Sequence, residues 1–346
     1  MTGAKRIAVL GAGANGASIG ADLTRAGLDV TLIEQWPEHV AAMRAHGLTV
    51  NMPGRSENTA VSVLNLCEVA TLTEPFDVVL MLMKAYDSRW AAHLIEPHLA
   101  ADGLLVGVQN GMTVDVISEV VGAHRTLGCV IEVSSTMTEP GVVDRHSGPD
   151  RSWFAVGSLT DATRGREREV ADLLAHAGTV EVVDDIRGAK WMKLVSNCTT
   201  LVTTASLGLP MIAGLEHPGM RDLMLRSGQE ALDVARAAGF RIMPIFGLTA
   251  DDVSRPDAVV ETLLDTLYRG FVLPNTTTTI LQDWTKRRHS EVDDLNGYVV
   301  AEAARLGLDA PVNAAVTEVA HRIERHELEP SPENAALVSR LAGVSG

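Results

Sequence analysis

The chain has 346 residues, 46% hydrophobic and 21% charged, a composition suited to a globular protein of about two domains. Its 29 Lys and Arg against 44 Asp and Glu give a net charge of −15 with no basic block, which excludes a non-specific nucleic-acid binder. No apolar run approaches the ~18 residues of a membrane helix. The Lys5-Arg6 pair precedes an apolar stretch too short and too broken by glycines for a signal peptide.

Cys67, Cys129 and Cys198 lie far apart, with neither a CxxC nor metal-ligand spacing, so the expectation is reduced thiols, a cytoplasmic location and no metal site. The Asn-x-Thr triplets at Asn197 and Asn275 are then chance matches. The histidines are scattered, and there is neither a Gly-x-Ser-x-Gly elbow nor an HExxH.

Taken in order, "RIAVLGAG" reads as a strand, "NGASIGADLTRAG" as a helix stopping at Gly27, and "DVTLIE" as the next strand. "PEHVAAMRAHG" runs from Pro37 to Gly47, proline at the start and glycine past the end, as a helix prefers. "FDVVLMLMK" and "GLLVGVQNG" are continuous apolar runs of strand length, the mark of parallel strands covered on both faces. Strands alternating with helices predict an open parallel α/β sheet. "CVIEVSST", "GVVDRHSG" and "RSWFAVG" read as short strands extending the same sheet in a more antiparallel way. "TRGREREVADLLAHAG" is helical and "VEVVDD" a last strand. From Ile186 the pattern is helical, apart from loops near Pro210, Met243 to Phe246 and Leu273 to Asn275. The division expected is a dinucleotide-binding domain over 1–184 and a helical domain over 185–346.

Gly11-Ala-Gly13-Ala-Asn15-Gly16 lies between the first strand and the first helix. In such a turn the first glycine permits the bend. The second lets backbone approach a pyrophosphate, and the third lets helix and strand pack closely. Gly11, Gly13, Asn15 and Gly16 are therefore the candidate phosphate cradle. Glu34 ends the second strand 23 positions after Gly11, where an acid accepts hydrogen bonds from the adenosine ribose and repels a 2′-phosphate. The first arginine after it is Arg44, deep in the next helix, so the expected cofactor is NAD, with NADP less favoured. The alternative is a Glu34 that caps the strand and points to solvent. Lys84 and Asn110 end two later strands, where open α/β sheets bind ligands. A lysine starting a solvated helix and a plain Asn-Gly turn are the competing readings.

In "RGAKWMKLVSNCTTL", Lys190, Lys193 and Asn197 are spaced to share a helix face. A lysine ammonium can give a proton to the alkoxide formed when a ketone is reduced; the plain alternative is a solvated lysine pair beside a structural asparagine. In "TTTTILQDWTKRRHSEVDDLNGY", the threonines begin a helix with Asn275 or Thr276 as cap, and Glu291, Asp293 and Asp294 read by pattern as an exposed charged face.

Together "GAGANG", "LMKAYD", "QNGM", "PGVVDRHSG", "KWMKLVSNC" and "TTILQDWTKRRHSEVDDLNGY" resemble the ketopantoate reductase family over nearly the whole chain. The resemblance implies a Rossmann-like domain, an all-helical domain, a cleft between them, and NAD(P)H-dependent reduction of a 2-oxo acid. It implies Lys193 as catalytic lysine and Glu291 as the cleft glutamate that orients lysine and cofactor. It further implies Asn110, Asn197 and Thr279 as substrate contacts, Asn110 also lying near the nicotinamide, and Lys84 as a cofactor-side lysine. The assembly expected for this architecture is a homodimer. Two departures stand out: Leu201 replaces a second asparagine, and Met211 stands at a position the family makes polar. They suggest the same reaction on a less polar 2-oxo acid, as in relatives that act as NAD-dependent D-2-hydroxyacid dehydrogenases. Three rivals remain: a true 2-dehydropantoate 2-reductase, a β-hydroxyacid dehydrogenase-like enzyme, and a non-catalytic NAD-binding sensor.

Overall fold

Short aliphatic runs closed by glycine turns set the first half of the molecule. The computed structural model describes residues 5–344. Its strands are β1 (Arg6–Leu10), β2 (Asp29–Glu34), β3 (Leu48–Met52), β4 (Arg55–Thr59), β5 (Ser62–Asn65), β6 (Phe76–Met81), β7 (Leu99–Val108), β8 (Thr126–Glu132), β9 (Ser135–Glu139), β10 (Val142–Arg145), β11 (Trp153–Ser158) and β12 (Thr179–Val182). Among them lie helices α1 (Ala14–Arg25), α2 (Pro37–His46), α3 (Ser88–Ile95), α4 (Val114–Val121) and α5 (Glu167–Leu174). Eight strands form one sheet in the order β12-β11-β8-β7-β6-β1-β2-β5, parallel except where β11 meets β8. The order reverses between β1 and β6, so the ends of these strands flank the switch point where such sheets bind ligands.

The stretch from 129 to 157 departs from the expectation of one extended sheet. Only β11 adds to it antiparallel. β9 and β10 leave it and join β3 and β4 in a second, four-stranded sheet, β4-β3-β10-β9. The pairing is driven by alternation: Leu48, Val50 and Met52 of β3 and Val143 of β10 all turn inward onto the same apolar core. Arg145, at the end of β10, is fully buried. It pairs with Asp22 of α1 and donates to Ser152 Oγ at 2.9 Å and to the Ala177 carbonyl at 2.6 Å, tying the small sheet to the large one.

By its internal contacts the chain divides into Met1–Arg187 and Gly188–Gly346. The second unit is built from α6 (Ile186–Ala205), α7 (Met211–Glu216), α8 (Met220–Ala237), α9 (Val259–Gly270), α10 (Thr279–Thr285), α11 (Asn296–Leu306), α12 (Pro311–Glu324) and α13 (Asn334–Leu341). From Gly188 onward every residue of α6 is buried except Leu201, as for a helix surrounded on all sides. Small residues permit this. A Cβ on Gly228 of α8 would lie 2.1 Å from Thr199 Oγ1, and one on Gly214 of α7 would lie 2.4 Å from Thr204 Cγ2. Trp191 stacks on Phe240 at 4.6 Å, meets Tyr298 edge-on at 5.7 Å, and donates its indole N–H to the Ala231 carbonyl. No helix among the described residues is long and apolar enough to cross a membrane.

Candidate active site

The glycine turn carries three different constraints. Gly11 has φ +94°, and a Cβ there would sit 2.8 Å from the Met83 amide nitrogen, because β1 and β6 end against each other. Gly16 faces inward, where a Cβ would approach the Gly11 carbonyl oxygen to 2.0 Å. Gly13 differs from both: its Cβ would meet no atom of the described residues within 4 Å. One glycine bends, one packs, and the one between leaves open space at the start of α1, which has neither a side-chain cap nor an acid in its first turn. That arrangement fits a dinucleotide pyrophosphate. Asn15 is held from the side by Ser135 of β9, whose hydroxyl donates to its Oδ1.

His39 fixes the same turn from below. It is fully buried, with Nε2 bonded to the Ala12 carbonyl at 3.1 Å while Nδ1 accepts from the Gly141 amide at 2.8 Å. Because Nδ1 accepts and Nε2 faces a carbonyl, the proton sits on Nε2, and burial holds the imidazole below its usual range. It thereby connects the phosphate turn to the second sheet, a role no local motif announced.

Glu34 does not point to solvent. It is buried, and its Oε1 accepts from the amides of Gln35 at 2.9 Å and Trp36 at 3.0 Å. Arg44 is committed elsewhere: it pairs with Glu68 and donates Nη2 to the Val63 carbonyl at 2.9 Å. Lys84 is half-buried and opens a 3-10 turn, Ala85–Asp87, rather than a solvated helix. Buried Gln109 secures that turn, donating to the Met83 carbonyl at 2.7 Å and to the Lys84 carbonyl at 3.3 Å. Asn110 follows at the end of β7, before Gly111 at φ +71°. All the candidate cofactor residues of this unit therefore lie at the C-terminal ends of β1, β2, β6 and β7.

In the helical unit, Lys190 and Lys193 are only 2% and 7% exposed, which removes the solvated lysine pair. Asn197, one turn beyond Lys193 on α6, is buried as well. The Lys193 ammonium lies 5.1 Å from the centre of the Phe246 ring, within cation–π range. Ser196, on the same helix, is buried with no partner for its hydroxyl among the described residues, and the same holds for the buried Thr279 hydroxyl. Buried hydroxyls left without partners are uncommon in folded proteins and mark places where a polar ligand group can dock. The cap of α10 is Thr278, not Asn275 or Thr276: its backbone is extended and its Oγ1 accepts from the Leu281 amide at 3.2 Å. The Thr276 hydroxyl is taken by the turn before it, accepting from Leu273 N–H at 2.9 Å.

Glu291 is 4% exposed and begins a 3-10 turn, Val292–Asp294, so the expected charged face holds for Asp293 alone. The residue before it, Ser290, donates both its amide (2.9 Å) and hydroxyl (2.5 Å) to Glu324 of α12. Burial opposes the Glu324 charge, but these bonds outweigh it and hold its carboxyl below the usual range. After the turn, Asn296 donates to Asn313 Oδ1 at 2.9 Å and to the Cys198 carbonyl at 3.4 Å, which ties the Glu291 segment to α6 beside Asn197. Burial, then the Glu291 and Asp293 carboxylates, push Asp294 up to about 6 against the pull of His289. Among the described residues no group of His, Cys, Asp and Glu is placed to hold a metal ion.

In sequence and in fold the chain is similar to known proteins. Residues 7–158 match the model of the ketopantoate reductase PanE/ApbA family, and residues 185–324 match its C-terminal counterpart. The chain is 27% identical over 335 residues to a 2-dehydropantoate 2-reductase of Lactococcus lactis subsp. lactis, covering 92% of this chain and 98% of the relative. Its fold is similar to the PanE/ApbA family ketopantoate reductase of Ralstonia eutropha JMP134, with TM-score 0.77, 28% identity, and 93% and 99% of the two chains covered. It is also similar in fold to D-mandelate dehydrogenase solved with NADH and anilino(oxo)acetate, with TM-score 0.82, 21% identity and the same coverage. With a Rossmann-like α/β unit followed by an all-helical unit, both matched along most of their length, the chain belongs to the ketopantoate reductase family of oxidoreductases.

Proposed function

We propose that this protein interconverts a 2-oxo acid and a 2-hydroxy acid with NAD as cofactor, Lys193 acting as general acid and base. The observation that carries the reading is a lysine withdrawn from water on a buried helix, one turn from a buried asparagine. When bound, the nicotinamide supplies the hydride in reduction and accepts it in oxidation. Lys193 Nζ gives the proton to the developing alkoxide oxygen and takes it back in the reverse direction. Its positive charge stabilises that oxygen best where water is excluded. Asn110, Asn197 and Thr279 hold the substrate, and the unpartnered Thr279 hydroxyl suits a carboxylate oxygen. Glu291 orients Lys193, kept in place by Ser290 and Asn296 on either side.

Gly11, Gly13, Asn15 and Gly16 would cradle the pyrophosphate, with Lys84 and Asn110 beside it and Glu34 at the ribose. What supports NAD over NADP is a buried carboxylate ending β2 and an Arg44 already bound to Glu68 and Val63. Leu201 and Met211 support a substrate less polar than ketopantoate, since each missing hydrogen-bond partner weakens a polar substituent by roughly 1 kcal/mol. The named relatives favour a second reading, reduction of ketopantoate itself. A panel of 2-oxo acids that includes ketopantoate, pyruvate and phenylglyoxylate, run with NADH and NADPH, tests both. The first reading requires higher kcat/KM for an apolar 2-oxo acid with NADH, and a preference for ketopantoate with NADPH replaces it with the second. Assembly as a homodimer belongs to the same proposal and is read by light scattering.

A further inference from the structure

Between α8 and α9 the chain forms an irregular segment. Within it, the Leu248 amide donates to the Ile245 carbonyl at 3.2 Å and closes a tight turn. Both central residues, Phe246 and Gly247, have positive φ, at +62° and +77°. Turns of this kind are dominated by Gly, which has no Cβ to clash, and by Asn and Asp, whose short polar side chains bond the local backbone. A phenylalanine is a poor choice on local grounds.

Among the described residues, only Phe246, Arg287 and His326 combine a side chain with positive φ. Arg287 and His326 directly follow the caps of α10 and α12, where a left-handed residue is the ordinary way to end a helix. Phe246 has no such excuse. Strain persists where surrounding structure demands it, and it gathers at functional positions. Here the surroundings are explicit. Ile245 and Met243 are buried on the same segment, the Phe246 ring meets Phe271 at 5.5 Å, and its face lies 5.1 Å from Lys193 Nζ.

We infer that Phe246, backed by Phe271, is the positioning residue of the Lys193 ammonium and the apolar wall that selects the substrate side chain. An aromatic face attracts the cation without offering it a proton acceptor, so it orients Nζ and leaves its N–H bonds for the substrate oxygen and neighbouring polar groups. The same ring offers nothing to a hydroxyl, so the substituent seated against it is aromatic or branched aliphatic, and a hydroxymethyl group there lacks a partner. This rests on the reading of Lys193 as the proton donor.

The test compares Phe246→Asn, Phe246→Leu and Phe246→Tyr in the full-length enzyme. Asparagine suits the positive φ and keeps the turn, leucine keeps apolar volume without a ring face, and tyrosine keeps the face. Turnover of phenylglyoxylate and of ketopantoate is measured, alongside thermal unfolding and NADH affinity. With Asn and Leu, kcat for phenylglyoxylate falls by about tenfold or more, and so does the kcat/KM ratio of phenylglyoxylate over ketopantoate. Tyrosine, which keeps the ring face, recovers most of the kcat lost with Asn and Leu, and NADH affinity is unchanged in all three. A ring that only fills space would alter the unfolding temperature and leave the ratio alone, and that result overturns the inference. An unchanged ratio with Phe246→Asn while Lys193→Ala is inactive defeats this inference alone, whereas an active Lys193→Ala defeats the reading beneath it.

Discussion

Replacing Gly13 by alanine separates binding from folding. Its φ of −63° and ψ of −165° are open to any residue, and an added Cβ has no atom of the described residues within 4 Å. Alanine restricts the unfolded chain, which stabilises by roughly 0.4–1 kcal/mol. It is also a poorer helix cap than glycine, which costs up to about 1 kcal/mol. The two nearly cancel, and the unfolding temperature should move by only a few degrees. A pyrophosphate approaching the start of α1 would meet the new methyl group. Hydrogen bonds to a charged group are worth about 1.5–3 kcal/mol each, so losing one weakens NADH binding by roughly 10- to 100-fold. Gly16→Ala is the control for the opposite behaviour. Its Cβ would lie 2.0 Å from the Gly11 carbonyl oxygen, so α1 must move off β1 at a cost of about 3 kcal/mol or more. Thermal unfolding without cofactor and calorimetric titration with NADH read the two effects apart. Wild-type NADH affinity in Gly13→Ala would refute the phosphate cradle, and unfolding as early as Gly16→Ala would refute the steric argument.

Two further outcomes follow from the site's charges. Glu34→Gln keeps an oxygen to accept from Gln35 and Trp36 but removes the charge, so the kcat/KM advantage of NADH over NADPH should shrink by about tenfold, and an unchanged ratio would exclude Glu34 from the choice. Asp294 has a folded-state pKa of about 6, above its unfolded value, so its contribution is fully present below about pH 4 and is lost as pH rises through 6. Asp294→Asn should therefore unfold later than wild type at pH 7.5, by on the order of 1 kcal/mol, with no difference near pH 4. Parallel unfolding curves at both pH values would contradict that burial.

The parts legible in the sequence are those encoded locally. The glycine turn, the apolar runs of β1, β2, β6 and β7, and the shared face of Lys193 and Asn197 each lie within one short stretch. The second sheet was hidden because its central pair joins β3 to β10 across some ninety residues, and β4, "RSENT", has no apolar alternation to betray it. Burial was hidden for the same reason. Glu34, Lys190 and Glu291 are charged residues that a pattern assigns to solvent, and only the packing around them withdraws them. His39 and Phe246 carried no motif at all. Histidine in a helix is unremarkable until its partners, Ala12 and Gly141, are known, and Phe-Gly in a loop reads as an ordinary turn until the positive φ of the phenylalanine is seen. The cap of α10 shows the limit inside a motif: four successive threonines are equally good caps by composition, and backbone geometry selects Thr278.

If Lys193 moves the proton in a nicotinamide-dependent reaction of a 2-oxo acid, its ammonium is indispensable to turnover and dispensable for cofactor binding. Steady-state turnover and NADH titration of Lys193→Ala, with the best substrate of the panel, test it most directly. Turnover should fall by about three orders of magnitude or more, with NADH affinity close to wild type. Near-normal turnover in that variant would contradict it.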